Sequence, residues 1–437
     1  MAGKIKTYSV HSLVALLVIG FPLLMSFIKS DNKPNLVGIV ISDEKPKFSR
    51  ADWLDGTYQD EMDEYTSDRW AFKELMVRLN NQFYYDAFND VRVNNFVSGK
   101  DNYVFAEGYI FSAFGDDLLK ESKVSEKLRK AKVVQDTLKR KGIDLIIGLA
   151  PGKGEYCVEY IQDKYKHPVK GTNHELFVKF AQEYGLNLLD LYDYFGKLKS
   201  QAKYPLFTKF GHHWSYYGEC LAVELTIRYI EKLRNTDLPD LKWDEVEVID
   251  SARSRDADVL KSMNLYSNPA QNMNLAYPKI MFEIDSLKNR NRVLVIGDSY
   301  WYGPVYMGVS QKCFGFGEFW YYYNRIVPTR VVGQKIEVWE LDLKEEIEKN
   351  QVIMLMYADG NYPTYGNEFI DDAYELYTSP KTFYERRERK KQIQTYAKQI
   401  REIPALLKKS THKSNDLMIP LDSAITLDAM RMAGFGK

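Results

Sequence analysis

Two short stretches hold the residues best suited to chemistry. In "RVLVIGDSYWYG", Arg292 to Gly303, an apolar run ends in Gly297, Asp298 and Ser299. Glycine permits a sharp turn there and leaves the serine hydroxyl at the mouth of a strand. A helix start at that point offers backbone N–H groups, that of Ser299 first, to a developing oxyanion. A serine is a weak nucleophile until a neighbouring base takes its proton, so acyl transfer through a serine ester calls for a histidine nearby. The chain has six. His11 lies in an apolar N-terminal segment, His412 in a basic tail, His167 before a proline in a charged loop, and His174 in the polar "GTNHE" loop. "FTKFGHHWSYYG", Phe207 to Gly218, supplies the other two, His212 and His213. Two readings stay open on these residues alone. One is a Ser299–His213 pair; the other is a turn capped by Ser299 beside an aromatic cluster of Phe210, His213, Trp214 and Tyr217.

The elements that must position these residues are legible from periodicity. "IDLIIGLAP", "RVLVIGDS" and "QVIMLMYAD" are short, continuous apolar runs and read as fully buried strands. "KVSEKLRKAKVVQDTLKRKG", "HELFVKFAQEYG", "YYGECLAVELTIRYIEKLRN" and "DLKEEIEKN" read as helices, and "LNLLDLYDYF" opens as a strand. Upstream, Phe72, Leu75, Met76 and Leu79 recur at helical spacing. Buried strands alternating with helices predict an α/β domain whose parallel sheet carries helices on both faces. The loops after Ala150, Gly297 and Tyr357 then follow the carboxyl ends of strands, where open α/β sheets bind ligands. Lys153, Tyr156 and Asn361 lie in the first and last of these loops, and Trp301 follows Ser299. With Trp214, the lysine, the tyrosine and Trp301 are candidate substrate contacts; the plainer readings are a surface lysine, a packed tyrosine and a turn asparagine beside Gly360.

Composition narrows the function further. Lys+Arg and Asp+Glu are both 60 in 437 residues, and this balance argues against nucleic acid as the main partner. Aromatic residues make up 14%, with 32 tyrosines and 7 tryptophans, which suits either a sugar-handling surface or an aromatic-rich core. The three cysteines, Cys157, Cys220 and Cys313, are far apart and follow no CxxC pattern, so neither a disulfide framework nor a metal site is expected. Val10 to Ile28 is 19 residues without a formal charge, preceded by Lys4 and Lys6. That is close to the ~20 needed to cross a bilayer. Residues 1–28 therefore read as an uncleaved signal anchor, N-in, with a cleaved signal peptide as the alternative. Residues 29–45 read as a linker, 46–378 as the α/β domain outside the cytoplasm, and 379–437 as a basic, helical extension. Ser379 to Lys413 carries eleven Lys/Arg against three Glu. Such an arm packs on its own domain or meets an anionic partner.

Taken together, "GHHWS" and "VLVIGDSY" resemble the DHHW/SGNH-hydrolase-like family of the alginate O-acetyltransferase (AlgX/AlgJ) type. "YTSDRWAFKELMVRLNNQFYY", "VSGKDNYVFAEGYIF", "LAPGKGEYCVEYI" and "RDADVLKSMNL" are similar to that family's flanking segments, so the resemblance covers roughly residues 46–375. It implies an SGNH-like, flavodoxin-like fold behind an N-terminal membrane anchor, with the main domain in the periplasm. It implies Ser299 as the nucleophile that carries an acetyl ester, His213 as its general base, and transfer to sugar hydroxyls of an exported polysaccharide. Acetyl would come through a membrane-bound O-acyltransferase partner, with no metal or diffusible cofactor. Asn361 matches the place of an asparagine in the family's last loop and is a candidate oxyanion donor.

The sequence departs from the family at one position. The motif's aspartate, which orients the imidazole, is replaced by Gly211. The carboxylate must then come from elsewhere or be missing. His212, Asp298 and Glu219 are near in sequence, but no motif assigns any of them. Three functions follow: an O-acetyltransferase, a carbohydrate esterase using the same serine and histidine, or a glycan-binding or assembly subunit whose site has lost its chemistry.

Overall fold

A computed structural model describes residues 45–435 apart from 70–71, 271–272 and 286–287, together with Ser12, Gly20 and 35–38. The expected N-terminal anchor and most of the 29–45 linker lie outside the described residues. Among the described residues, no helix is long and apolar enough to cross a membrane.

Among the described residues, ten strands form three sheets. β1 (Phe96–Ser98) and β2 (Val104–Ala106) make a small antiparallel pair, as do the longer β5 (Asp240–Ile249) and β6 (Leu275–Glu283). The central sheet contains β3 (Asp144–Ala150), β4 (Leu188–Asp190), β7 (Val293–Gly297), β8 (Phe319–Tyr321), β9 (Arg325–Val327) and β10 (Val352–Ala358). Their order is β4-β3-β10-β7-β8-β9. Counted from β7, the parallel strands run 2-1-3-4-5, the flavodoxin-like order, with the chain opened at a different point of the same arrangement.

One feature corrects the all-parallel expectation. β9 pairs antiparallel with β8, so the sheet is mixed. The two are joined by only Tyr322–Asn324, with Tyr322 and Tyr323 at φ 49° and 56°. A connection this short can only reverse the chain. The aromatic run "FWYYYN" hides that turn because it contains no glycine or proline.

The continuous apolar runs form the middle of the sheet because both faces are covered. From β3, Leu145, Ile147 and Leu149 join the core on one side, and Ile146 and Ala150 the core on the other. β10 divides in the same way, with Ile353, Leu355 and Tyr357 opposite Val352, Met354 and Met356. The expected helices cover these faces, among them Glu121–Lys139, Asn173–Glu183 and Tyr216–Arg234. Asn173–Glu183 opens with a capping box made by Thr172 and Glu175.

Upstream, the helix Lys73–Phe88 forms as its periodicity suggests, but Leu75, Met76 and Leu79 are exposed and Asn81 and Tyr85 make its buried contacts. The basic extension folds as three helices, Pro380–Glu402, Pro404–Leu417 and Leu421–Met432. Phe383 and Arg387 fasten the first of these to the α/β domain, with Arg387 Nη2 donating to Val338 O at 2.8 Å. All three cysteines are buried and free.

Candidate active site

β3, β7 and β10 end together, with Ala150 opposite Ala358 and Gly297 opposite Met356. Their following loops therefore open on one edge of the sheet. At Gly297 the strands are so close that a Cβ would stand 2.2 Å from Met356 O, so only glycine fits. The next residue secures the turn. Asp298, fully buried, accepts from Tyr300 N–H at 3.0 Å, Ala358 N–H at 2.8 Å and Asn361 Nδ2 at 2.9 Å. Burial raises its pKa, and these three donors oppose the rise. Ser299 then opens a short 3-10 turn, Ser299–Trp301.

The histidine turn is closed by an antiparallel bridge between Phe207 and Trp214. Thr208 Oγ1 accepts from Gly211 N–H at 2.8 Å and donates to Asp256 O at 2.7 Å, pinning the turn to the 253–258 segment. Lys153 fastens it from the other side. Its ammonium, buried to 1% exposure, donates to Val104 O (2.7 Å), Lys209 O (2.7 Å) and Gly211 O (2.9 Å). Burial pulls its pKa down to about 7.

These two turns bring Ser299 Oγ within 2.7 Å of His213 Nε2. His213 Nδ1 donates to Asp258 Oδ2 at 3.1 Å, which leaves Nε2 as the acceptor of the Ser299 hydroxyl proton. Asp258 is itself oriented: its Oδ1 accepts from His212 N–H at 2.9 Å and Val259 N–H at 2.8 Å. Burial works against its charge, but the hydrogen bond and charge of His213 hold the Asp258 carboxyl below the usual range. A serine, a histidine and a carboxylate in this geometry can activate the hydroxyl, hold the imidazole in one tautomer and stabilise the imidazolium.

The group hydrogen-bonded to His213 Nδ1 is thus Asp258, not His212, Asp298 or Glu219. It lies 45 residues beyond His213 in the chain, in "RDADVL". Gly211 fits this relocation. A Cβ there would meet Thr208 Oγ1 at 2.4 Å and Asp256 O at 3.1 Å, the contacts that hold the Asp258 segment against the turn. The position that usually bears the acid has no room for a side chain once the acid arrives from 258.

The other candidates are distributed differently. The His212 ring packs among Phe96, Tyr109 and His213, with centroids at 5.5, 5.0 and 4.7 Å. Burial and the neighbouring His213 lower its pKa to about 3, so it stays neutral. Asn361 directs its amide to Asp298. Lys153 is not on the surface but a buried clamp, and Tyr156 packs on Phe207, 4.9 Å between centroids. Trp301 is fully buried and stacks on Phe314, so no face is left for substrate. Trp214 packs between Phe195 and Tyr300, and its Nε1 donates to Glu219 Oε1 at 3.4 Å. Three residues went unassigned from sequence: Asp258; Tyr300, whose ring supports His213 at 5.0 Å; and Arg255, whose Nη2 donates to Ser299 O at 3.3 Å. The available signal was "RDADVLKSMNL", one of the segments similar to the family's flanking stretches.

Residues 97–302 match the family model described as "SGNH hydrolase-like domain, acetyltransferase AlgX". The matched span includes His213, Asp258 and Ser299, and it bears out the resemblance carried by the two motifs. No curated protein matches the chain. Among solved structures, the chain is similar to the O-acetyltransferase domain of Pseudomonas putida AlgJ, at 14% identity and TM-score 0.42, covering 64% of this chain and 99% of that one. Bacillus cereus PatB1 is similar at 13% identity and TM-score 0.39, covering 61% and 97%. Pseudomonas aeruginosa AlgX is similar at 14% identity and TM-score 0.41, covering 64% and 66%.

Proposed function

We propose that the protein is a membrane-anchored, extracytoplasmic O-acetyltransferase that modifies sugar hydroxyls of an exported polysaccharide through an acetyl ester on Ser299. The observation that carries this is the continuous hydrogen-bonded path Ser299–His213–Asp258, with steps of 2.7 and 3.1 Å. In the first half-reaction Ser299 Oγ attacks the acetyl carbonyl while His213 Nε2 takes the hydroxyl proton, and Asp258 stabilises the imidazolium. In this reading the Ser299 N–H donates to the developing oxyanion. The tetrahedral intermediate collapses, the donor group leaves with the proton from His213, and the acetyl ester remains on Ser299. In the second half a sugar hydroxyl attacks that ester, His213 takes its proton, and the same proton returns to Ser299 Oγ as the sugar acetate departs.

The acetyl donor reaches the site through a membrane-bound O-acyltransferase partner, and the Val10–Ile28 segment anchors the domain beside that partner. The alternative of a site without chemistry rested on Gly211, and Asp258 removes its motive. The esterase alternative differs only in using water as acceptor, so transfer onto an oligosaccharide separates the two.

The test follows hydrolysis of an aryl acetate and the intact mass of the protein. Wild type is expected to gain one acetyl group at Ser299, and Ser299→Ala and His213→Ala to lose both signals. An unchanged acetylation rate in Ser299→Ala overturns the proposal.

A further inference from the structure

Behind the Ser299 turn lies a groove of about 660 Å³, within the range of small-molecule sites. Ser299 and His213 do not line it. The two sites are joined by Arg255, whose Nη1 donates to Glu219 Oε1 at 3.0 Å on the groove side while its Nη2 reaches Ser299 O. This pair lies tight against the helix Tyr302–Met307, because a Cβ on Gly303 would overlap Glu219 Oε1 at 1.3 Å. The groove is therefore built into the nucleophile's own turn.

Its lining combines flat rings with a buried acceptor. Tyr277 forms part of the wall, and Tyr306 stands 75% exposed at the rim. The lining also contains Asp256, only 4% exposed. Its Oδ1 accepts from Tyr216 N–H at 3.1 Å, but its Oδ2 has no hydrogen-bond partner of good geometry among the described residues. The adjacent Tyr277 hydroxyl accepts from Arg253 N–H and lies beside the Asp256 carboxylate as a poorly aligned donor, which a ligand hydroxyl can better. A buried carboxylate oxygen left in this state gains from a donor supplied by a ligand. Burial raises the Asp256 pKa to about 6, against the opposing effects of the Tyr277 hydroxyl, the Tyr216 N–H and the Arg255 charge.

Charge selects among possible ligands. Arg253 is paired with Glu247 and Arg255 with Glu219, while the Lys312 ammonium sits over the Phe282 ring at 4.6 Å. The arginines are thus committed to protein carboxylates, and the open acceptor wants a hydroxyl. A ligand with hydroxyl donors along its edge and apolar C–H faces for the rings is an uncharged pyranose.

We propose that this groove is a saccharide subsite that holds an uncharged pyranose ring, with Asp256 accepting from a sugar hydroxyl and the exposed Tyr306 covering a ring face. Under the acetyltransferase reading, on which this assignment to the acceptor side rests, the acceptor glycan is neutral and runs past the Ser299 turn. The test is calorimetric titration of the full-length chain with cello-, malto-, manno- and chitohexaose, and with a mannuronate hexasaccharide as the charged counterpart.

At least one neutral hexasaccharide is expected to bind. Tyr306→Ala should weaken it about tenfold, Tyr306→Trp should restore it, and Asp256→Asn should weaken it without a loss of thermal stability. Failure of every neutral probe, a preference for the mannuronate probe, or indifference to Tyr306→Ala overturns the proposal. Binding measured beside the acetylation assay in wild type separates the two claims, since sugar bound by a wild-type protein that never forms an acetyl-enzyme sustains the groove and removes the transferase reading.

Discussion

The turn after β7 and the segment from Arg255 to Asp258 each deliver one aspartate to the serine–histidine pair. Asp298 is fully buried and spends all its contacts on the protein, two backbone N–H groups and the Asn361 amide. The Asp258 side chain is 33% exposed and spends one oxygen on the His213 ring and the other on two backbone N–H groups. One aspartate holds a turn in place, and the other holds an imidazole. Position beside the serine in sequence therefore says little about which carboxylate serves the histidine.

The largest effect expected from this contrast is on rate. Asp258→Asn should keep the fold and lower aryl acetate hydrolysis ~10³-fold, by analogy with other triads that lose the orienting charge. The double variant Gly211→Asp/Asp258→Asn should not recover, because the Cβ at 211 has no space. Recovery would show that the two positions are interchangeable and break the comparison. Asp298→Ala should instead unfold early, since three buried donors lose their acceptor, at a cost of about 3–5 kcal/mol. Thermal melts of the two single variants separate the roles.

A smaller effect concerns Lys153. Lys153→Met strips three carbonyls of their donor and should cost about 2–4 kcal/mol. Its folded pKa of about 7 lies below the unfolded value of ~10.4, so the unfolded chain binds the extra proton between those values. Stability of the wild type should then gain a rising contribution from roughly pH 7 to 10. That contribution should be absent in Lys153→Met, as denaturant melts across the range would read. The smallest effect belongs to His212. Held neutral down to about pH 3, it should not shape the pH profile of hydrolysis, so His212→Phe should leave the profile from pH 5 to 9 unchanged in form. A shifted limb would make His212 a participant.

Much of the scaffold was legible because its signals are local. Continuous apolar runs marked β3, β7 and β10, and the periodicity of Asn173–Glu183 and Tyr216–Arg234 marked those helices. The antiparallel β8–β9 corner and the long β5–β6 pair were not, since the first turns on aromatic residues at positive φ and the second alternates only weakly. Ser299 and His213 were legible as types in context, because a short strand ending in glycine and a histidine before tryptophan are features of adjacent residues.

Asp258 was not legible in this way. The chain between Trp214 and Asp258 passes through a 19-residue helix and a strand before returning, and no local pattern encodes where it returns. Lys153 shows the same limit: from sequence it was a candidate substrate contact or a surface lysine, and only the meeting of β2 with the 209–211 turn gives its ammonium three carbonyls. By itself the sequence determined the α/β sheet, the loops at its carboxyl edge and the two turns that carry Ser299 and His213. Periodicity and turn chemistry act over a few residues, and that range was enough. Which acid completes the set, why Gly211 must be glycine, and which polar side chains are braces were decided by tertiary packing alone, because each depends on backbone segments brought within hydrogen-bond distance from far along the chain.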